Sequence, residues 1–577
     1  MGGSFPAIRD LAIIGNRRTA ALLTHTGEIV WYCPGRFDRP SLLAALLDPS
    51  QGGSWKLNIP EVACSGRRYL EDSGILETTL TLPAGELQVT DWMPMGENVP
   101  HGICRQFSSA PTDIAVTLHP APNYAERRPT LKPQEHGIQI DGQHYLYASH
   151  PLIIQDGRVS FLLPQGETGW SVLVDAPLTG LDEYQLKLWL EETLQCWQQI
   201  SARITYRGPY EEQVVASIRV LRLLTFEDNG GIIAAPTTSL PEVIGGRRNY
   251  DYRYVWLRDA GMIVSALTRA GSDGIEERRF LDFICGYDRD SGSQPLMPFS
   301  TLDGKPAPPE TTLSLSGYCH SRPVVIGNDA KDQLQLDAYG NVLLAAKLIY
   351  NRFDTREHWS LIAEIADFLA DHWHEPDYGI WEEREEHQYT SSKVVVACGL
   401  KFIAEVSQNE AQAERWRTAE QAIRQFVAQH CLTSEGAYAV IAGSEAVDVT
   451  AALFPVWAYT EPDSPEMLAT MRVLERDYAT DHLYRRHLRN FDSQQEGAFL
   501  AGTFWVAQYW IMRQDYLRSQ AIIDAALKFA NDLGLFAEEA DPKTGQMLGN
   551  FPQTFVHAAF IGAVIDLKNA ESFAEME

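Results

Sequence analysis

The hydrophobic period of the chain changes near residue 182, and this change limits what it can fold into. Before that point, "AALLTHTGEIVWYC" places a THTGE turn between two apolar runs, and "ILETTLTLPAGELQVTDWMPM" repeats the arrangement around Pro-Ala-Gly-Glu. Short strands and turns at regular spacing are typical of an antiparallel β-sandwich. After it, apolar residues recur at helical spacing, first over 182–204. We therefore predict a β-sandwich domain over residues 1–182, a connecting helix and linker over 183–208, and a helical domain over 209–577.

The helical region contains twelve segments with amphipathic periodicity, among them "EEQVVASIRVLRLLTF" and "AIIDAALKFANDLGLF". Twelve helices fit six helical hairpins closed into an α/α toroid, although the count alone is also compatible with an open solenoid. Three long loops, 226–257, 287–331 and 374–390, are rich in Gly, Pro, Tyr and polar residues. Long loops at one end of a helical scaffold commonly hold a functional site, so we expect the site there.

Charge excludes two classes of partner. The chain has 76 acidic residues against 48 Lys and Arg, which gives a net charge of -28. Such a surface repels phosphate backbones and anionic membranes, so we predict no nucleic-acid and no membrane partner. A small neutral substrate is easier to accommodate. The 14 Trp and 23 Tyr suit a core, but they also suit surfaces that stack on sugar rings.

The eight cysteines are scattered, with no CxxC and no spacing typical of a zinc site. We therefore expect free thiols, a reducing compartment, and no metal or cofactor. The N-terminus lacks the apolar run of a secretory signal, and no stretch approaches the ~20 apolar residues of a membrane span. These features predict a cytoplasmic protein. The oligomeric state stays open, a homo-oligomer included.

The stretch "GIWEEREEHQYTSSK" crowds four glutamates behind Trp381, namely Glu382, Glu383, Glu385 and Glu386. A run of charge usually forms a solvated loop. Alternatively, one of these acids acts on a substrate and the tryptophan walls it. Desolvation by such a wall raises the pKa of a carboxyl group and keeps its proton available for transfer.

A second dense stretch, "GGRRNYDYRYVWLRDAG", places aromatics such as Tyr252 and Trp256 before Arg258 and Asp259 at the start of a helix. Adjacent helical residues do not face each other, so this pair need not form a salt bridge. Carboxylate and guanidinium together can clamp vicinal hydroxyl groups, with Asp accepting and Arg donating. The alternative is a structural network that buttresses the loop.

Glu496, in "QQEGAFLAGTFWVAQYW", is expected to open an otherwise apolar helix. It either caps the first turn or acts as a base at the mouth of the toroid. Glycoside hydrolysis requires two carboxyl groups, one protonated and one ionised. Glu382 and Glu496, which come from distant loops, are the candidates for that pair.

Several motifs in order along nearly the whole chain resemble glycoside hydrolase family 15, the glucoamylase and glucodextranase family, in its bacterial two-domain form. They are "IGNRRTAALLTHTGEIVWYCPGRFDRPS", "AAPTTSLPEVIGGRRNYDYRYVWLRDA", "LSGYCHSRPVVIGNDAKDQLQLDAYG", "GIWEEREEHQYTSSK" and "EGAFLAGTFW". The resemblance implies a β-sandwich followed by an (α/α)6 barrel, and hydrolysis of an α-glucoside at its non-reducing end with inversion.

The resemblance also implies roles for particular residues. Glu382 matches the general acid and Glu496 the base that activates water. Arg258 and Asp259 match the pair that grips the terminal glucose, and Glu383 matches an acid that contacts sugar hydroxyls. Trp381, Tyr252 and Trp256 are expected to bind the substrate in the same site.

We expect the enzyme to release β-glucose from short α-gluco-oligosaccharides of the isomaltose and maltose type. A trehalase of the same family would use the same carboxylates and is the alternative. A phosphorylase would need one acid and a basic phosphate pocket, which a second carboxylate argues against. The alternative of a different class is an inactive sugar-binding protein, which intact Glu382 and Glu496 argue against.

Overall fold

The computed structural model of the chain describes residues 4–59, 62–204, 206–287, 294–488 and 495–574. Residues 288–293 of one predicted loop, and residue 494 beside Glu496, lie outside this part of the chain.

The N-terminal part forms a sandwich of two antiparallel sheets. Its strands are β1 Ala12–Gly15, β2 Ala20–Leu23, β3 Ile29–Tyr32, β4 Ser54–Asn58, β5 Cys64–Tyr69, β6 Leu76–Leu82, β7 Gly85–Trp92, β8 Gly102–Phe107, β9 Ile114–His119, β10 Leu131–Pro133, β11 Ile138–Ile140, β12 His144–Ala148, β13 Ile153–Gln155, β14 Arg158–Leu163 and β15 Gly169–Val174. One sheet has the order β1-β2-β3-β4-β9-β14-β13 and the other β10-β11-β12-β15-β8-β7-β6-β5. Side chains of β6 alternate between buried and half-buried, as expected for a strand with one face on the core. The predicted hairpins are present as β2–β3 and β6–β7, so the predicted sandwich is confirmed.

The C-terminal part is helical. Its helices are α1 Glu183–Ser201, α2 Glu211–Leu223, α3 Leu257–Arg269, α4 Ile275–Cys285, α5 Leu336–Phe353, α6 Trp359–His372, α7 Thr390–Val406, α8 Glu410–His430, α9 Leu453–Val456, α10 Pro465–Val473, α11 Leu500–Met512, α12 Tyr516–Leu527 and α13 Thr554–Ala574. The first of these, α1, packs on the second sheet through Leu186 and Trp189. Within the described residues, no helix is long and apolar enough to cross a membrane.

The twelve helices after α1 close into a ring. Contacts run from α3 to α5, α7, α9, α11 and α13, and α13 returns to α3. The even-numbered helices pack outside this inner ring, for example α8 on α7 and α12 on α11. Because the last inner helix contacts the first, the chain forms a closed (α/α)6 barrel rather than an open solenoid.

Short strand pairs shape the loops where the inner helices begin. They are β16 Val255–Trp256 with β17 Phe299–Ser300, β18 Thr311–Leu313 with β19 Val324–Ile326, β20 Ala479–Thr480 with β21 Leu483–Tyr484, and β22 Ala498–Phe499 with β23 Glu539–Ala540 and β24 Met547–Leu548. The sandwich also supports these loops. The Trp31 indole N–H donates to the Pro236 carbonyl at 2.8 Å, and the Arg253 guanidinium donates to the Arg39 carbonyl at 3.0 Å.

Candidate active site

A cavity of about 470 Å³ opens at the end of the barrel where the inner helices begin. Arg258 and Asp259 line it from the first turn of α3, and Phe555 lines it from the first turn of α13. A cavity of this size lies within the range of small-molecule sites, roughly 300–1,000 Å³. Much of the remaining wall comes from positions between 234 and 256, between 310 and 330, and between 380 and 384. These positions belong to the three long loops in which we predicted the site.

Glu382 lies in this cavity at a tight turn, where its backbone has a φ of 54°. The Trp256 indole N–H donates to Glu382 Oε1, and Arg258 Nη1 lies 3.7 Å from the same oxygen. Burial raises the pKa of Glu382, and the nearby Arg258 offsets part of that rise.

Arg258 and Asp259 form an ion pair at the bottom of the cavity. Arg258 Nε lies 2.8 Å from Asp259 Oδ1, and Arg258 Nη1 donates to the Ile380 carbonyl at 2.6 Å. The sequence left open whether these neighbours pair, and in the structure they do. Burial raises the pKa of Asp259, while Arg258 opposes that rise. The pair presents an acceptor and a donor side by side.

Aromatic rings form the walls beside these charges. Trp256 stacks on Phe299 with ring centroids 4.6 Å apart, and Tyr252 meets Trp256 edge to face at 5.7 Å. The Trp381 indole N–H donates to Asp448 Oδ2 at 2.5 Å, and its ring packs against Phe499 at 5.1 Å. Tyr252, Trp256 and Trp381 all line the cavity, and their contact with substrate stays a prediction. Rigid aromatic faces of this kind suit the C–H faces of a sugar.

The structure adds a carboxyl group that the sequence analysis missed. Glu538 lines the same cavity as Glu382, and the Tyr252 hydroxyl donates to Glu538 Oε1 at 2.7 Å. Burial, together with the charge of Glu242, raises the pKa of Glu538 to about 8. The available signal was the pair of acids in "LFAEEADPKTG", a loop between α12 and α13 that resembles the acid-rich loop after Trp381.

Glu496 has a different position from the one predicted. It precedes β22 and lies four residues before α11 begins at Leu500, so it does not open that helix. Arg486 donates to its two oxygens at 2.9 and 3.1 Å, and Arg248 Nη1 lies 2.8 Å from Oε1. Burial alone would raise the pKa of Glu496, but these guanidiniums hold it below its ordinary value. The side chain is 2% exposed and is not part of the cavity wall.

Glu383 also lies away from the cavity. Glu383 borders a neighbouring cleft together with Asp448 and His487. Its backbone carbonyl accepts a hydrogen bond from Gln333 at 3.2 Å. The structure thus brings together Glu382, Arg258, Asp259, Trp381, Tyr252 and Trp256, but neither Glu383 nor Glu496.

Three buried acids, Glu242, Glu496 and Glu539, place carboxylate oxygens within 4.8 Å of one another. Such a group could hold a cation, but here one guanidinium already contacts all three. Arg486 lies 2.5 Å from Glu242, 2.9 Å from Glu496 and 3.5 Å from Glu539. Arg248 adds a second positive charge against Glu242 and Glu496. The arrangement is an ion-pair network in which two arginines are paired with the three acids, and Glu242, Arg248 and Arg486 of this network also line the cavity.

Glu382 and Glu538 are two of the carboxyl groups that line an aromatic cavity at the mouth of a closed (α/α)6 barrel, an arrangement suited to glycoside hydrolysis. The chain belongs to the family described as glycosyl hydrolases family 15, whose model matches residues 208–521 and 516–565. A model for the trehalase-like N-terminal domain matches residues 1–165.

Proteins named as trehalases align with almost the whole length of the chain. It is 31% identical to a trehalase of Mycobacterium tuberculosis, covering 99% of this chain and 91% of that protein. It is 30% identical to trehalase 1 of Sulfolobus acidocaldarius, covering 97% and 99% respectively. The crystal structure of a bacterial glucoamylase complexed with acarbose matches with a TM-score of 0.74 at 13% identity, covering 100% of this chain and 98% of that one. That likeness shows the fold alone.

Proposed function

We propose that the protein is a trehalase that hydrolyses α,α-trehalose to two molecules of glucose with inversion. From the sequence alone, isomaltose or maltose is the expected substrate and trehalose the alternative. The end-to-end similarity to trehalases now favours that alternative. The observation that carries the catalytic part is that Glu382 and Glu538 line one cavity. The predicted cytoplasmic location stays a prediction.

In this proposal, Glu382 is the general acid and Glu538, in place of Glu496, is the general base. Glu382 gives its proton to the oxygen between the two sugars as the bond from that oxygen to the anomeric carbon breaks. Glu538 takes a proton from water as the water oxygen bonds to the same carbon from the opposite face. Arg258 and Asp259 grip the hydroxyls of the glucose unit that is attacked. Burial of Glu382 favours the protonated form that this role requires.

Inversion on trehalose has a distinctive product pattern. The attacked unit is released as β-glucose, whereas the leaving unit keeps its α configuration. We therefore expect equal initial amounts of α- and β-glucose, followed by slow mutarotation. Time-resolved NMR of the anomeric protons measures this directly. Initial release of α-glucose alone would indicate a retaining mechanism and overturn the assignment of Glu538 as a base.

A substrate panel tests the choice of sugar. We expect kcat/KM for trehalose to exceed that for isomaltose, maltose, longer α-glucans and starch, because the cavity suits a short substrate. A clear preference for isomaltose or maltose would return the assignment to the first expectation from the sequence. Release of no glucose from any member of the panel would favour a binding protein.

Asp259→Asn tests the grip on the attacked glucose. A hydrogen bond to a charged group contributes about 1.5–3 kcal/mol, so kcat/KM should fall about 10- to 100-fold. The charge of Asp259 also helps to raise the pKa of Glu382. Without it, Arg258 stabilises ionised Glu382 more strongly, and the alkaline limb of the pH–rate profile should move to lower pH. A variant that only melts at a lower temperature, with an unchanged profile and unchanged kcat/KM, would show that Asp259 is structural.

A further inference from the structure

The rim of the cavity carries charged groups that the proposed chemistry does not use. Arg247, Arg384, Glu310 and Asp329 all line the cavity, and all four are exposed. Within the part of the chain that the structure describes, neither guanidinium has an ion-pair or hydrogen-bond partner. In a protein with a net charge of -28, unpaired arginines at the mouth of a pocket are available for a ligand.

Arginines deeper in the same cavity are different. Arg258 is paired with Asp259 at 2.8 Å, and Arg486 is paired with Glu496 at 2.9 Å. These interactions hold their guanidiniums in fixed positions before any substrate arrives. Among the described residues the rim arginines have no such partner, so the five N–H donors of each guanidinium are available to bind sugar hydroxyls.

Arg384 lies close to the catalytic acid along the chain and nearer to solvent. Glu382 turns the chain with a φ of 54°, and Arg384 follows two residues later at the exposed edge. On another side, the hairpin of β18 and β19 brings Glu310 and Asp329 together. The Glu310 backbone N–H donates to Asp329 Oδ1 at 2.9 Å, which leaves the second oxygen of Asp329 available.

The direction of the substrate follows from the deep site. One glucose unit is gripped by Arg258 and Asp259, and the bridging oxygen must meet Glu382 to receive its proton. The second glucose unit therefore extends from Glu382 toward the exposed edge, where Arg384 lies. We infer that the rim formed by Arg384, Arg247, Glu310 and Asp329 binds the leaving glucose unit, with Arg384 as the residue that selects for a disaccharide. This inference rests on the proposed function.

The balance of charge at the rim favours a neutral leaving unit. Two guanidiniums supply donors and two carboxylates supply acceptors, which together match the hydroxyls of an unmodified sugar. A phosphate on the second unit would be attracted by the arginines but repelled by Glu310 and Asp329. We expect an unmodified disaccharide to be preferred to a phosphorylated one.

The test compares two substrates that differ only at the rim. Trehalose fills both positions, whereas α-glucosyl fluoride fills only the deep one, since its leaving group is a single fluoride. Arg384→Ala should lower kcat/KM for trehalose about 10- to 100-fold, the value of a lost charged hydrogen bond. The same variant should hydrolyse α-glucosyl fluoride within about twofold of the wild-type rate. Arg384→Lys, which keeps a donor but not the fork, should lie between the two on trehalose.

Arg128→Ala is the matched control, because Arg128 is an exposed arginine of the sandwich that does not line the cavity. Arg128→Ala should leave the hydrolysis of both trehalose and α-glucosyl fluoride unchanged. An equal loss on both substrates in Arg384→Ala would mean that Arg384 acts on Glu382 instead of the leaving sugar, and no loss on either would mean that it binds nothing. Both results would overturn the inference.

Failure of the proposed function would look different. Wild-type protein would then hydrolyse α-glucosyl fluoride but not trehalose. The comparison would be repeated with whichever α-linked glucose disaccharide the wild-type protein cleaves, and the same two results in Arg384→Ala would still overturn the role of the rim.

Discussion

Glu382→Gln should lower kcat/KM for trehalose by about 10²–10⁴-fold, the usual contribution of a proton-transfer group. An amide cannot donate a proton to the bridging oxygen as the carboxyl group does, although it keeps the size of the side chain and can still accept from Trp256. α-Glucosyl fluoride should be hydrolysed at a much less reduced rate, because fluoride leaves with little help from an acid. The ratio of the two activities, measured in one preparation, therefore isolates the loss of the acid from any general damage to the site.

Glu385→Gln is the control for this variant. Glu385 lies on the same loop, but its side chain is 83% exposed and is not part of the cavity wall. The same chemical change there should leave both activities intact. Equal losses on trehalose and on the fluoride in Glu382→Gln would contradict the role of Glu382 as an acid, since they would mean that its charge or position matters for both leaving groups.

The fold could largely be predicted because its signals are local and repeated. Turns at regular spacing between short apolar runs predict the strands of the sandwich, and twelve amphipathic segments predict the six helical hairpins. Closure of the ring depends on the contact between α13 and α3, two helices nearly 300 residues apart. No local pattern contains that contact, so only the family resemblance distinguished a barrel from an open solenoid.

The site was predicted where one stretch of sequence carries several functional groups. Trp381 and Glu382 are adjacent, as are Arg258 and Asp259. Glu496 was placed at the start of a helix because an apolar run follows it. In the structure, Ala498–Phe499 is extended and pairs with Glu539–Ala540. That pairing brings Glu496 to Arg486 and sets Glu538 beside the cavity, and it joins segments too distant to be recognised from spacing.

Glu538→Gln and Glu496→Gln should therefore affect different properties. The first should lower activity, and the second should lower the free energy of unfolding. Glu538→Gln should lower kcat/KM by about 10²–10⁴-fold on trehalose and on α-glucosyl fluoride alike, because both reactions need an activated water. Its melting temperature should change little, since the amide still accepts from Tyr252. In Glu538→Ala, azide should restore turnover by taking the place of the activated water, and the product should be β-glucosyl azide. Retention of normal activity in Glu538→Gln would exclude it as the base.

The pH dependence gives a second measurement of the pair. Burial raises the pKa of Glu382 and, with Glu242, raises that of Glu538 to about 8. Activity is lost at low pH as the base is protonated and at high pH as the acid is ionised. The ionised form of Glu538 that a base requires accumulates only as the pH approaches about 8, so the acid limb of the wild-type profile should lie near that pH. The alkaline limb, set by Glu382, should lie above the ordinary carboxyl pKa of about 4. A limb at the ordinary pKa of an exposed carboxyl group would contradict the raised pKa of one member of the pair.

Glu496→Gln should act mainly on stability. Removing one charge from a buried ion pair typically costs about 3–5 kcal/mol, and the low end is expected here because Glu242 and Glu539 still contact Arg486. The folded-state pKa of Glu496 is lowered, so its contribution is present above its unfolded pKa and is lost as pH falls through the folded value. The loss in free energy of unfolding should hence be large at pH 7 and shrink in acid. A stable but inactive Glu496→Gln, in which azide restores turnover to the matching Glu496→Ala, beside an active Glu538→Gln, would instead assign the base to Glu496.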